Sequence, residues 1–120
     1  MRTLFFFVSI ILTIFLTNCE KKPVSGEDLN GKWIATEKAD TIYFMDDSNF
    51  YHSSENMRYD HYDYSISGDS ILIGYSGKMM IMVIETNHYI ELNGDNLTID
   101  LSNRQCFGFP KEEMHYRRIQ

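Results

Sequence analysis

The chain has 120 residues, with 11 basic residues, 17 acidic residues, a formal net charge of −6 and two cysteines. This length allows one small domain and excludes a two-domain enzyme. The acidic balance argues against a nucleic-acid-binding protein, which would present a basic patch. Two cysteines, one of them beside a processing motif, are too few for a disulfide framework.

The first 18 residues predict a signal peptide. Arg2 is followed by an apolar stretch at residues 4–16, which is shorter than the roughly 20 residues that span a bilayer. Residues 16–19 (LTNC) then resemble the lipobox of bacterial lipoproteins, although Asn18 stands where that family has Gly, Ala or Ser. The resemblance implies a lipid on Cys19 and anchoring to the bacterial cell envelope, with the outer membrane favoured. The alternative is an ordinary secretory peptide with an incidental cysteine.

Residues 19–28 are polar, contain Pro23 and Gly26, and show no apolar period. This composition predicts a flexible tether. The chain therefore divides into a signal peptide at residues 1–18, a tether at residues 19–28 and a folded domain at residues 29–120.

From residue 29 onward, apolar residues recur at every second position between clusters of turn-forming residues. Period-two segments separated by turns predict an antiparallel sandwich or barrel of about eight strands. The predicted strands are at residues 32–37, 41–45, 50–53, 58–67, 70–75, 78–85 (continuing through a bulge into 88–92), 96–101 and 114–119. At residues 93–95 (NGD), Asn and Gly tolerate positive φ, which predicts a tight hairpin.

Three motifs resemble those of small bacterial lipocalin-like domain lipoproteins of the Bacteroidetes type: residues 29–33 (LNGKW), 64–71 (YSISGDSI) and 116–118 (YRR). The resemblance implies an all-β fold, a small antiparallel up-and-down β-barrel. It also implies that Arg118 packs over Trp33, next to Gly31, and closes the barrel bottom through a cation–π contact. The alternative is that Trp33 is simply a core aromatic residue and Arg118 is solvated.

The same resemblance implies non-catalytic binding of a small apolar or amphipathic ligand in the barrel mouth, with no cofactor. The residues assigned to that site are Phe44, Tyr64, Met80 and Met82. Methionine side chains line adaptable apolar pockets. Core packing and copper(I) binding are the alternatives for the methionines.

A second functional hypothesis is a protein–protein interaction module of the cell envelope, such as an inhibitor or an assembly partner, that uses the tyrosine-rich region at residues 51–64. An open apolar cavity would favour ligand binding, whereas a filled interior with an exposed aromatic patch would favour a protein partner.

The sequence predicts neither an enzyme nor a metal site. It has no G-x-S-x-G motif, and Cys106 lies in an apolar loop where only Arg104 is close in sequence, which predicts a buried, inert thiol. The four histidines are scattered without zinc spacing. His61 and Asp63 share one strand face and could bind a metal, or could simply be its solvent side.

Overall fold

The computed structural model describes residues 24–55 and 57–119. The predicted signal peptide, the predicted lipid-anchor residue Cys19 and the first part of the predicted tether lie outside these residues. The described elements are α1 (Gly26–Leu29), β1 (Gly31–Ala35), β2 (Asp40–Phe44), β3 (Asn49–Ser54), β4 (Met57–Ser67), β5 (Ser70–Tyr75), β6 (Thr86–Asn93), β7 (Asn96–Asp100) and β8 (Glu113–Arg118). The all-β prediction is confirmed.

Each strand pairs antiparallel with the next, and β8 pairs with β1, so the sheet is a closed eight-stranded barrel. Closure gives every strand a partner on both sides over most of its length, which reduces the strand edge that a small sheet would expose. In the closing register, Trp33 on β1 lies opposite Arg118 on β8. The predicted up-and-down barrel is therefore confirmed.

The strand directions give the barrel two distinct ends. The closed end holds α1, the start of β1, the end of β8 and the connections β2–β3, β4–β5 and β6–β7. The open end holds the other four connections, which include the long loops at residues 76–85 and 101–112.

Two tight hairpins at the closed end depend on glycine. Gly68 and Gly94 have φ values of 61° and 59°, and each is the first residue of a two-residue connection. A positive φ at this position matches the right-handed twist of the flanking strands, and glycine adopts it without a steric penalty. The hairpin predicted at residues 93–95 is thus confirmed.

Alternate side chains of the strands point inward and fill the barrel with aromatic and aliphatic groups. The ring of Phe50 stacks on that of Tyr62 with 5.0 Å between centroids. Phe44 meets Tyr64 edge to face at 5.1 Å. The period-two pattern predicted this inward row.

The strand predicted at residues 78–85 is wrong. The β5–β6 ladder ends at the pair Ile73 and Thr86, and residues 78–85 form a loop that is mostly exposed. β5 ends at Tyr75, two residues beyond this last pair, so residues 78–83 have no β5 residue opposite them. Period-two alternation predicts which face of a strand each side chain occupies, but it does not show whether a neighbouring strand is present to form hydrogen bonds.

The predicted tether (residues 19–28) meets the predicted domain (residues 29–120) within α1. Gly26–Leu29 forms one helical turn, and Leu29 is fully buried in the core. Val24 is partly buried against the same core. The apolar side chains of Val24 and Leu29 fix this stretch to the barrel.

Candidate functional site

The closed end is sealed by Arg118, which contacts three elements at once. Its guanidinium carbon lies 4.4 Å from the centroid of the Trp33 ring, so the predicted contact is present. Its two terminal nitrogens donate to the backbone oxygens of Asp28 and Asn30, each at 2.6 Å. Trp33 Nε1 donates to the oxygen of Leu29 at 2.8 Å. These bonds satisfy carbonyl groups at the end of α1 that the helix leaves unpaired.

Gly31 completes this closure by turning the chain from α1 into β1. Its φ of 126° is a conformation that residues with a Cβ rarely adopt. The Arg118 Nε atom also lies 3.3 Å from a carboxylate oxygen of Asp95, which is exposed and adds little stability.

The open end carries a cavity of about 750 Å³. It is formed by the β1–β2 connection, the β3–β4 turn and the β7–β8 loop, and its lining residues are Glu37, Lys38, Ala39, Asp40, Ser54, Glu55, Gly108, Phe109 and Pro110. Cavities of roughly 300–1,000 Å³ accommodate small organic ligands. This is the candidate functional site.

Beneath the cavity, three buried polar side chains form a connected cluster, here called the polar floor: Asp40, His52 and Tyr116. The Tyr116 hydroxyl donates to Asp40 Oδ1 at 2.7 Å, and His52 Nε2 lies 2.9 Å from Asp40 Oδ2. Both carboxylate oxygens are thus engaged, which offsets the cost of burying the group. Of the three, Asp40 is the one that lines the cavity.

Burial, followed by the charge and the hydrogen bond of Asp40, raises the pKa of Tyr116 well above its ordinary value. The hydroxyl therefore stays protonated and donates at any physiological pH. In His52, Nε2 faces the Asp40 carboxylate, and Nδ1 is the other nitrogen of the ring. Nδ1 is buried and has no hydrogen-bond partner among the described residues.

Phe109 covers the His52 side of the polar floor. Its ring stacks on His52 with 3.7 Å between centroids and 15° between planes, and it also packs edge to face against Phe50 and Tyr62. The β7–β8 loop thus places an aromatic plug in the open end. Gln105 Nε2 holds this loop by donating to the oxygen of Phe109 at 2.9 Å.

A second buried polar network lies beside the plug. The Thr86 hydroxyl is 2.7 Å from His88 Nε2, and His88 Nδ1 is 2.8 Å from Asn103 Oδ1. Because an amide oxygen only accepts, Nδ1 is the protonated nitrogen. Burial raises the pKa of the neighbouring Cys106 to about 11, against a lowering hydrogen bond from Thr86, so the thiol is buried and protonated.

None of the four residues assigned to ligand binding from the sequence lines the open-end cavity. Phe44 and Tyr64 are buried in the packed core, and the Tyr64 hydroxyl donates to the oxygen of Asp46 near the closed end at 2.6 Å. Met80 and Met82 are fully exposed on the loop that replaces the predicted strand. The interior positions are occupied by protein side chains, so the cavity is formed by loops.

The sequence held a signal for the polar floor that the prediction missed. Asp40 is two and four residues from the inward-pointing Ile42 and Phe44, and His52 is two residues from the inward-pointing Phe50. Both polar residues therefore fall on an inward face. A polar residue in an apolar row must find a partner inside the barrel. Which partner it finds depends on strand pairing, and the sequence alone does not give the pairing.

Among residues 24–55 and 57–119, no group of three or more His, Cys, Asp or Glu side chains is placed to hold a metal ion. The Nδ1 atom of His61 instead bonds to the Ser76 hydroxyl, and its ring meets Tyr51 edge to face. Over the same residues, no helix is long and apolar enough to cross a bilayer.

No protein-family model, curated protein or solved structure matches the chain at a significant level.

Proposed function

We propose that this chain is a small lipocalin-like lipoprotein of the bacterial cell envelope that binds, without catalysis, a small amphipathic molecule in its open-end cavity. The observation that carries the proposal is the cavity of about 750 Å³ between three open-end connections. Its volume suits one small ligand. The packed core beneath it restricts that ligand to the mouth of the barrel.

The lining suggests how an amphipathic molecule would lie. Ala39, Phe109 and Pro110 offer apolar surface, whereas Glu37 and Lys38 offer charges of both signs. An apolar group would pack against Phe109, and a polar group would remain at the rim near the charges. Hydrogen bonds at the rim would fix its orientation.

The binding proposal is tested by filling the cavity. Ala39 lines the cavity and is exposed, so Ala39→Trp adds bulk there without disturbing the core. We expect this change to abolish saturable binding of the amphipathic dye 1-anilinonaphthalene-8-sulfonate, measured by fluorescence titration. Ser65→Trp, on the exposed face of β4, is the matched control and should leave binding unchanged. Equal dye binding by both variants would contradict the proposed site.

The anchoring proposal is tested separately at Cys19. Replacing Cys19 by alanine removes the sulfur to which the lipid would be joined. We expect the wild-type protein in the membrane fraction and the variant outside it. Unchanged membrane attachment of the variant would refute a lipid on this residue while leaving the cavity proposal untouched.

A second candidate function, recognition of another envelope protein, is favoured by the outer face of β3 and β4. Tyr51 and Tyr59 are exposed there, and exposed tyrosines are enriched in protein interfaces. Native mass spectrometry of the protein purified from its own envelope separates the two candidates. A co-purifying small molecule supports ligand binding, and a stoichiometric protein supports recognition.

A further inference from the structure

Residues 79–84 (MMIMVI), here called the apolar segment, are six consecutive apolar residues at the open end, and all of them except Val83 are exposed. Exposure alternates along it: Met80 and Met82 are fully exposed and Ile84 is 82% exposed, whereas Met79 and Ile81 are each 47% exposed. The even-numbered side chains therefore form one row that projects into solvent. Such a row is unusual on a monomeric surface and marks an interaction site.

Most backbone amides of the apolar segment donate no hydrogen bond to a described residue. The amide of Ile81 donates to the oxygen of Met79 at 2.9 Å, a γ-turn bond that bends the backbone at Met80 and that pairing with a second strand would replace. The amides of Met80 and residues 82–84 donate to no described residue. A stretch with strand-like alternation and unpaired amides can serve as one half of a β-ladder.

The start of the apolar segment is held in place. The amide of Lys78 donates to Asp60 Oδ1 at 3.3 Å, and the amide of Met79 donates to the Tyr75 hydroxyl at 3.0 Å. Tyr75 in turn donates to Asp60. At the other end, Thr86 enters the β5–β6 ladder. Fixed ends reduce the ordering cost of binding.

We propose that the apolar segment pairs antiparallel with the same segment of a second copy of this chain. A two-fold axis perpendicular to such a pair requires directly opposite residues to share parity, because symmetry keeps each side chain on its own face of the ladder. Even-numbered residues then lie opposite even-numbered residues, and odd-numbered residues lie opposite odd-numbered residues. The register centred on Met82 places Met82 against its own symmetry mate and Met80 against Ile84 of the second copy.

The flanking charges suit this antiparallel arrangement. Lys78 precedes the apolar segment and Glu85 follows it, so the lysine end of each copy lies beside the glutamate end of the other. A bilayer is a poorer occupant, because hydrocarbon offers no partner to the unpaired amides. The acidic chain also gains nothing from an anionic membrane surface.

The proposed interface is short and brings two acidic domains together, so it belongs to the small, weak class of protein interfaces. The association is therefore concentration-dependent, and disulfide cross-linking in the intact envelope is the appropriate test. Residues opposite each other in a β-ladder have Cβ atoms about 4.5–5.5 Å apart, a spacing close to that of a disulfide.

The test introduces one cysteine into the full chain and compares dimer yield in the intact envelope, under mild oxidation, on a non-reducing gel. We expect severalfold more disulfide-linked dimer from Met82→Cys than from Leu72→Cys, an exposed position on β5. The wild-type chain sets the background from the two native cysteines, Cys19 and Cys106. Adding Met80→Asp to Met82→Cys should suppress the dimer, and adding Leu72→Asp should not.

Three results would overturn the proposal. The first is a dimer yield from Met82→Cys no greater than that from Leu72→Cys. The second is a mixed disulfide with a different protein as the main product, which would assign the apolar segment to another partner. The third is protection of Met82→Cys from a water-soluble maleimide by vesicles of phosphatidylethanolamine and phosphatidylglycerol, which would assign it to lipid. Each outcome is independent of dye binding in the cavity.

Discussion

Replacing Asp40 with alanine is expected to destabilise the barrel strongly. The change removes the hydrogen-bond partner of two buried groups, Nε2 of His52 and the hydroxyl of Tyr116. Both side chains are almost completely buried, so each group loses its partner inside the barrel. An unsatisfied buried group costs about 1–3 kcal/mol, which gives a loss of about 2–6 kcal/mol for the two groups. Domain stabilities are only about 5–15 kcal/mol.

The assay is urea unfolding followed by the fluorescence of Trp33, the single tryptophan and a fully buried one. Asp40→Asn should cost less, because its amide oxygen still accepts from Tyr116. Asp63→Ala, at an exposed aspartate on β4, is the control and should stay within about 0.5 kcal/mol of wild type. An Asp40→Ala variant as stable as this control would refute the assigned role of the polar floor.

Three further predictions concern other parts of the barrel. Arg118→Ala and Trp33→Leu should couple by about 0.5–2 kcal/mol in a double-mutant cycle, and strictly additive losses would refute a stabilising contact. Iodoacetamide at pH 8 should label Cys106 only after urea unfolding, as read by peptide mass, and rapid native labelling would contradict its burial. Because burial raises the pKa of this thiol from 9.0 to about 11, its contribution to stability is complete below pH 9 and is lost as pH rises toward 11. Gly94→Ala should cost about 1–2 kcal/mol because of its positive φ, and unchanged stability on urea unfolding would show that the turn relaxes.

The barrel itself was largely predictable, because alternation and turn chemistry are local properties. Gly94 indicates a hairpin because it lies between two period-two segments. Ile71 and Ile73 are two residues apart on one strand, and the period-two pattern predicts that both point inward. Ring closure between β1 and β8 was not encoded locally. It was expected from the resemblance of the Gly31, Trp33 and Arg118 motifs.

The candidate site was harder to predict because loops and pairings build it. Phe109 lies in a loop without a periodic pattern, so the sequence does not indicate that its ring stacks on His52. Asp40 and Tyr116 come into contact only when the sheet closes. The error at residues 78–85 has the same origin. A strand-like sequence becomes a strand only where another backbone lies beside it.

The antiparallel pairing of β1 with β8 gives the molecule a polarity that can be used in practice. The start of β1 and the end of β8 lie side by side at the closed end, and the cavity and the apolar segment are at the other end. A label, a fusion partner or a solid support joined at either of those two points would therefore orient the barrel so that its open-end loops face the medium. An immobilised array of this protein would present one uniform face to an analyte.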